Sequence, residues 1–346
     1  MSSHIQFISK DSQIPLFGVD FLGIIDRGTN VIEVKPLTLC NLQCKYCFVS
    51  AGDYQTDFIV DEEYLLEKLR EVISIKGAHD LEIHIAPYGE SLLYPFLDSF
   101  ITHLSEMEGI RTISMQSNGL LLTKERISRL ENAGLTRINI SLNSLNQELA
   151  SYLCNAKNYN MERLLDNIDA LLDSSINVLI APVWFPGEND EDMEEIVNFV
   201  KHQRKKGYSE QELQIGIQKY LIYKTGRKLK KIRPKSWGYF YQQLAELEEK
   251  YGLKLKLGPK DFGIHPRPPI LSLDLKKGQI ISATIVSEGR WEYECIGAIS
   301  DHSGIKILLP RPWKFTPKLL GKTIQVKIIK ANYKDNILTA IMQTLF

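Results

Sequence analysis

Cys40, Cys44 and Cys47 lie within eight residues, in the run Cys40-Asn-Leu-Gln-Cys44-Lys-Tyr-Cys47. Three thiolates this close can hold a metal centre but do not complete it. A four-iron cluster takes four ligands, and so does structural zinc. One coordination position is left open, and an open position is where metal chemistry happens. A zinc site would need a further ligand such as histidine, and none lies within ten residues of Cys47; His4 and His79 are the nearest in sequence. The other two cysteines, Cys154 and Cys295, are too few for a second cluster and read as buried thiols. Cys295 carrying a methyl group at the site is the alternative.

Residues 31 to 223 must position that loop, and there short apolar strands alternate with amphipathic helices. Strands are expected at Val31–Lys35, Leu81–Ala86, Thr112–Ser117, Arg137–Leu142, Asn177–Val183 and Gln214–Tyr223. Helices are expected at Asp61–Ile75, capped by Asp61, at Phe96–Met107, Lys124–Ala133, Met161–Leu172 and Asp190–Lys205. Gly134 and Gly207 stop two of them. This alternation means βα units and a parallel sheet. Six units fit an open, partial barrel better than a closed eight-fold one.

A parallel strand covered on both faces should read as a continuous apolar run. These strands alternate. Glu33 and Lys35 share a face, as do Glu82 and His84, Ser114 and Gln116, Asn139, Ser141 and Asn143, and Gln214 and Gln218. Helices must cover the apolar face, so the polar face points inward, toward a ligand-filled cavity or an internal water network.

The C-x3-C-x2-C spacing, in a loop directly after the first barrel strand, resembles the radical S-adenosylmethionine (SAM) superfamily, in its MoaA-like branch. Tyr46 matches the aromatic residue usual before the last cysteine. The resemblance implies an α/β fold, a partial (β/α)6 barrel. It implies that Cys40, Cys44 and Cys47 hold three irons of a [4Fe–4S] cluster and that SAM binds the fourth. One electron would then cleave the sulfonium C–S bond to a 5′-deoxyadenosyl radical, which removes a hydrogen atom from substrate. Such chemistry belongs to the cofactors, and the protein supplies placement. An electron donor such as ferredoxin or flavodoxin is implied as well.

Further matches follow the strands. Pro87-Tyr-Gly-Glu90 resembles the family's Gly-Gly-Glu segment, with Gly89 and Glu90 in place and Tyr88 for the first glycine. There the glutamate and backbone receive the SAM amino group. Ser117-Asn118-Gly119 and Ser141-Leu-Asn143 resemble strand-end motifs whose Ser117, Asn118, Ser141 and Asn143 would bind ribose and carboxylate. Val183, in Pro182-Val-Trp-Phe-Pro-Gly-Glu188, would lie against adenine. Ligands of open α/β sheets bind at these carboxyl ends.

After a helix at Ser236–Tyr251 closed by Gly252, residues 257–269 are rich in Pro and Gly and read as a linker between a domain of 1–256 and a module of 270–346. Five short β segments follow, at Gln279–Val286, Trp291–Ile299, Ile305–Leu309, Thr323–Lys330 and Ile337–Met342. They suggest a small five-stranded β-barrel that resembles OB and TRAM domains. The chain is neutral overall, with 42 basic and 42 acidic residues. Yet residues 1–200 hold 14 basic and 30 acidic residues, so the remainder carries +16. Such asymmetry hints at a polyanion. Arg227, Lys228, Lys230 and Lys231 are candidate phosphate contacts, and Arg290, Trp291, Arg311 and Trp313 candidate RNA contacts on the module. The leading expectation is therefore an enzyme that modifies tRNA or rRNA. The alternative is a small-molecule, lipid or peptide substrate, with the module as lid or docking surface. No apolar run of 18 residues or more and no signal-like N-terminus is present, so neither a membrane span nor export is expected, and the cytoplasm follows.

Overall fold

The structure is a computed structural model that describes residues 4–270, 274–332 and 337–343. The chain opens with β1 (His4–Ile8), β2 (Gly23–Asp26), β3 (Val31–Lys35) and β4 (Thr56–Val60). Then come α1 (Glu62–Lys76), β5 (Leu81–Ile85), α2 (Leu97–Ser105), β6 (Ile110–Ser117), α3 (Lys124–Ala133) and β7 (Arg137–Ile140). α4 (Gln147–Cys154), α5 (Met161–Leu172), β8 (Asn177–Ile180), β9 (Val183–Trp184), α6 (Asp190–Lys205), β10 (Leu213–Ile215), β11 (Gln218–Lys219) and α7 (Trp237–Tyr251) complete the barrel half.

β3, β5, β6, β7, β8 and β10 pair in parallel and in chain order, with β2 antiparallel on the β3 edge. The sheet is open, a partial barrel of six βα units. Its alternation is physical: Ile32, Val34, Ile83, Ile85, Met115, Ile138, Ile140, Val178 and Ile180 are buried against the helices. Local signals place the helices. The Asp61 carboxylate accepts from the Tyr64 N–H at 3.1 Å and caps α1, and Gly134 ends α3 at φ 100°. Two expectations differ from what is seen. The sixth strand is short and breaks at Gly216, so only Leu213–Ile215 and Gln218–Lys219 pair. β1, β2, β4 and α4 lack a long hydrophobic period and were not expected.

The stretch 257–269 was expected to be a linker, and it is the floor of the barrel. It crosses the N-terminal ends of the parallel strands. Asn30 donates to the Gly263 carbonyl and accepts from the His265 N–H. Phe262 lies 5.7 Å from the Arg137 guanidinium, and Arg267 bonds the His79 ring. Pro and Gly mark it because its backbone must follow a surface rather than a strand ladder.

The C-terminal strands β12 (Ile280–Glu288), β13 (Glu294–Ala298), β14 (Gly304–Leu308), β15 (Thr323–Asn332) and β16 (Ile337–Met342) close a barrel in the order β12-β13-β14-β16-β15. Its core is aliphatic, with Ile285, Ile305, Ile307, Val326 and Ile328 fully buried. Of the expected 270–346, residues 271–273, 333–336 and 344–346 lie outside the described residues, as do Met1–Ser3 at the other end. The small barrel docks on the first 22 residues: Gly304 N donates to the Phe17 carbonyl at 2.7 Å and Lys306 pairs with Asp20 at 2.6 Å. Among the described residues no helix is long and apolar enough to cross a membrane.

One buried ion pair ties the floor to the sheet. Asp26 meets Lys76 at 2.6 Å, with side chains 1% and 0% exposed, and also accepts from the Ile270 N–H at 2.7 Å. Removing one partner strands the other charge without water. Asp26→Ala is expected to cost about 3–5 kcal/mol, measured as a lower urea midpoint; a loss under about 1 kcal/mol would show that the floor is not anchored there.

Candidate active site

The three cysteines sit in the irregular segment 36–55 between β3 and β4, at the carboxyl end of the sheet. All three are half-buried. Burial pushes the Cys40 thiol up to about 12, and the Cys47 thiol rises for the same reason. The Cys44 thiol is raised first by a hydrogen bond with Cys154 and next by burial. Among the described residues no three His, Cys, Asp or Glu side chains converge on a single ion. A four-iron cubane does not require that, because each thiolate ligates a different iron. The donor set is three soft thiolates in one loop that senses one another's charge, and it fits a cluster with one iron left to another ligand.

What holds this loop is Arg227. Its Nε donates to the Cys44 carbonyl and its Nη2 to the Ala51 carbonyl, both at 2.7 Å, while Nη1 pairs with Asp53. The Arg227 N–H donates to the Cys47 carbonyl at 2.8 Å. Gly226 allows the approach, since a Cβ there would strike the Phe48 backbone. Arg227 was expected to contact phosphate; the structure commits it to the loop instead. A planar fork meeting three acceptors has the geometry that only arginine offers. Lys228, Lys230 and Lys231 follow it and are exposed, over the buried Leu229 and Ile232.

The strand-end residues join the loop from the other side. Gly89 lies so close to the Leu39 carbonyl that any Cβ would collide. Tyr88 keeps an ordinary backbone and needs no glycine; its ring lies under Lys35 Nζ at 4.6 Å. Glu90, expected with the backbone to receive the SAM amino group, is 2% exposed. One carboxylate oxygen accepts from the Ser117 hydroxyl at 2.7 Å and the Leu92 N–H at 3.0 Å, the other from the Asn118 N–H at 2.8 Å. Burial raises its pKa, against which these donors act. Glu90 thus fixes one strand end to the next. Asn118 in turn donates to Asn41 of the cysteine loop at 2.8 Å.

Tyr46, Asn143 and Val183 come together. The Asn143 amide donates to the Tyr46 hydroxyl and accepts from the Val183 N–H at 2.7 Å. The Tyr46 ring packs on Phe185 at 4.8 Å. Ser141 accepts from the Gln116 amide at 2.9 Å.

The second half contributes differently from expectation. Arg290 was a candidate RNA contact, but it is 2% exposed, pairs with Glu294 at 3.1 Å and lies over the Phe21 ring at 4.3 Å. It joins the two halves. Trp291 stacks edge-on against Tyr54 of the cysteine loop at 5.2 Å. Arg311 and Trp313 are exposed; Arg311 and Lys314 flank the Tyr293 ring at 5.0 and 5.7 Å. Cys295 lies in the core of the small barrel, away from the mouth, and Cys154 beside Cys44. Sequence reading missed Arg227 and Cys154 as partners of the loop, because nothing local links residues so far apart.

Residues 34–200 match the family description "Radical SAM superfamily". An uncharacterized protein of Methanocaldococcus jannaschii is 33% identical over 94% of this chain and 78% of its own. A GTP 3′,8-cyclase of Aquifex aeolicus is 30% identical over 51% of this chain and 55% of its own. This chain thus spans about half the length of the curated cyclases it matches. The SAM-bound structure of Streptococcus suis SuiB superposes with a TM-score of 0.50 at 16% identity, over 74% of this chain and 51% of that one. The chain belongs to the radical SAM superfamily, in the branch similar to the GTP 3′,8-cyclases, and its cofactors are a [4Fe–4S] cluster and SAM.

Arg227→Ala is expected to leave the loop without its clamp. Anaerobic reconstitution should then yield less than half of the about four irons per chain of a single cluster, while the far-ultraviolet spectrum is unchanged. Arg227→Lys, which reaches one acceptor at a time, should fall between. Full iron loading in both variants would remove Arg227 from cofactor placement.

Proposed function

We propose that this radical SAM enzyme modifies a carbon position in RNA, tRNA or rRNA, with its C-terminal barrel as a TRAM-type RNA-holding module. When bound, the cluster and SAM supply a one-electron route to a carbon radical. The chain's own residues then have three tasks. Arg227, Asn41 and Asn118 fix the cysteine loop. Asn143, Ser141, Val183 and Tyr46 line the strand ends where SAM would lie. The small barrel presents the substrate.

The observation that carries this reading is the exposed aromatic and cationic group on one end of the small barrel. Tyr293 lies between Arg311 and Lys314, with Trp313 half exposed beside them. Aromatic faces among cations suit stacked bases and phosphates. The loop of Tyr293 also carries Trp291, which touches the cysteine loop through Tyr54. The β-strand order is that of an OB barrel, whose inter-strand loops bind oligonucleotides. Lys228, Lys230 and Lys231 offer a second phosphate surface behind Arg227. An electron donor such as ferredoxin or flavodoxin and a reducing cytoplasm complete the proposal. A second reading draws on the cyclases, which match over about half of this chain: a small molecule, lipid or peptide is the substrate and the module a lid or docking surface.

Purified protein is expected to retain total tRNA at low salt, with log affinity falling linearly against log salt by roughly 0.7–0.9 per phosphate contacted. Tyr293→Ala combined with Arg311→Ala should weaken retention about tenfold, the scale of one stacked base. Absence of RNA binding at low salt, or binding without a salt slope, favours the second reading. Mass spectrometry of RNA nucleosides with and without the gene would then identify the product.

A further inference from the structure

The lumen of the partial barrel carries two registered rows of inward-facing side chains. Strand pairing places Glu33, His84, Ser114, Arg137 and Asn177 in one row. One step toward the mouth, it places Gln116, Asn139, Leu179 and Gln214 in the next, with Lys35 at its edge. The two rows differ in charge.

In the deeper row every charge has an ion-pair partner, although Arg137 Nε is buried without a hydrogen-bond partner among the described residues. Glu33 pairs with Arg27 at 2.6 Å and with Lys35, and these cations outweigh burial and hold its pKa at about 2. Lys35 Nζ also donates to the Ala86 carbonyl at 2.8 Å. Arg137 pairs with Glu82 of the same face. Ser114 has one hydroxyl proton and gives it to Glu82 at 2.6 Å. The His84 Nδ1 contact to Ser114 at 2.7 Å is therefore a donation from Nδ1–H. Burial lowers the His84 pKa, so the ring is neutral and its Nε2 is an acceptor.

The row nearer the mouth is uncharged apart from the paired Lys35. Asn139 stands out in it. It is 8% exposed, and its Oδ1 is buried with no hydrogen-bond partner among the described residues. Buried polar atoms are nearly always satisfied, and one that is not calls for a ligand or water. Its amide offers one acceptor and two donors, flanked by Gln116 on one side and the apolar Leu179 on the other. A flat group with adjacent donor and acceptor atoms would satisfy it. A polyphosphate would find no free cation there, because Lys35 and Arg137 are already paired with Glu33 and Glu82.

We infer that the lumen is a pocket for an uncharged nucleobase, read by the Asn139 amide, and that it rejects free nucleoside triphosphates. Delivery of that base by an RNA strand rests on the function proposed above; the neutrality of the pocket does not. An enzyme acting on a base in RNA takes the base out of its stack and reads its edge by hydrogen bonds. Asn139 would be a specificity residue of that kind.

The test uses the full chain with its cluster reconstituted. Saturation-transfer NMR titrations with the four ribonucleosides and their 5′-triphosphates measure binding, and total tRNA retention by the wild type is measured in parallel. At least one nucleoside should bind, its triphosphate at least tenfold more weakly. Asn139→Ala and the isosteric Asn139→Asp, which removes the donors and keeps the shape, should each weaken that nucleoside at least tenfold. Thermal melting checks folding, and Asn139→Asp decides if the alanine variant does not fold. A triphosphate that binds as tightly as its nucleoside overturns the inference. So does a nucleoside bound unchanged by Asn139→Asp, or no nucleoside binding at all. If the nucleoside result holds and tRNA is not retained, only the RNA reading fails; if tRNA is retained and the nucleoside result does not hold, only the pocket fails.

Discussion

The site depends on one problem of backbone chemistry. Three cluster ligands must sit in a segment with no helix or strand of its own, and every peptide group there still needs a partner. The Arg227 guanidinium meets part of that need at one point, joining the Cys44 and Ala51 carbonyls and the Asp53 carboxylate. Turns within the loop and other parts of the chain supply further partners. Leu153 accepts from the Lys45 N–H, Thr225 from Ser50, and Leu39 from the Glu90 N–H. The cofactor loop is thereby fixed by residues from three separate segments, at Glu90, at Leu153 and at Thr225 with Arg227. This is the support that a precise site needs around its ligands.

That arrangement explains which parts were legible beforehand. The six βα units and the polar face of the sheet follow from periodicity, which is a local property. Glu82 with His84, and Ser114 with Gln116, announce an inward polar face by spacing alone. The cysteine spacing is equally local. Arg227 is not, because its partners lie about 180 residues earlier and a basic tract gives no sign of which member turns inward. Arg290 misled for the same reason: beside Trp291 and Tyr293 it looks like a surface cation, yet Glu294, four residues on, lets it be buried. The Pro- and Gly-rich 257–269 has the composition of a linker, and only Asn30, His79 and Asp26 reveal it as a floor. Glu90 was found by motif; its hydrogen bonds to Ser117, Leu92 and Asn118 were not legible, because they join separate strand ends.

The charge asymmetry looks different once these residues are placed. Of the cations expected to face a polyanion, Arg227 and Arg290 hold the molecule together. Of those left exposed, Lys228, Lys230 and Lys231 follow Arg227 on a segment that touches the cysteine loop, while Arg311 lies over Tyr293, whose loop touches it through Trp291. On the proposed RNA reading, the structural cation and the phosphate-facing cations are adjacent in sequence. A strand held by the second group would then lie beside the cluster without any long lever between them.

The polar lumen carries a cost that the rest of the fold must offset. Replacing Asn139 and Gln116 by aliphatic residues would give strands covered on both faces by apolar side chains, the usual solution for a parallel sheet. An unpaired buried amide forgoes roughly 1–3 kcal/mol. The outer face absorbs this, because its Ile and Val residues are fully buried against five helices. Departures from packing rules concentrate where function requires them. Here the departure is confined to one face of one sheet, at the level between the floor and the cysteine loop. On the inference drawn above, a ligand reaching that depth meets amides, a neutral imidazole and charges that are already paired with one another. The chemistry that the cofactors supply would therefore be aimed at a group chosen by hydrogen-bond pattern and shape.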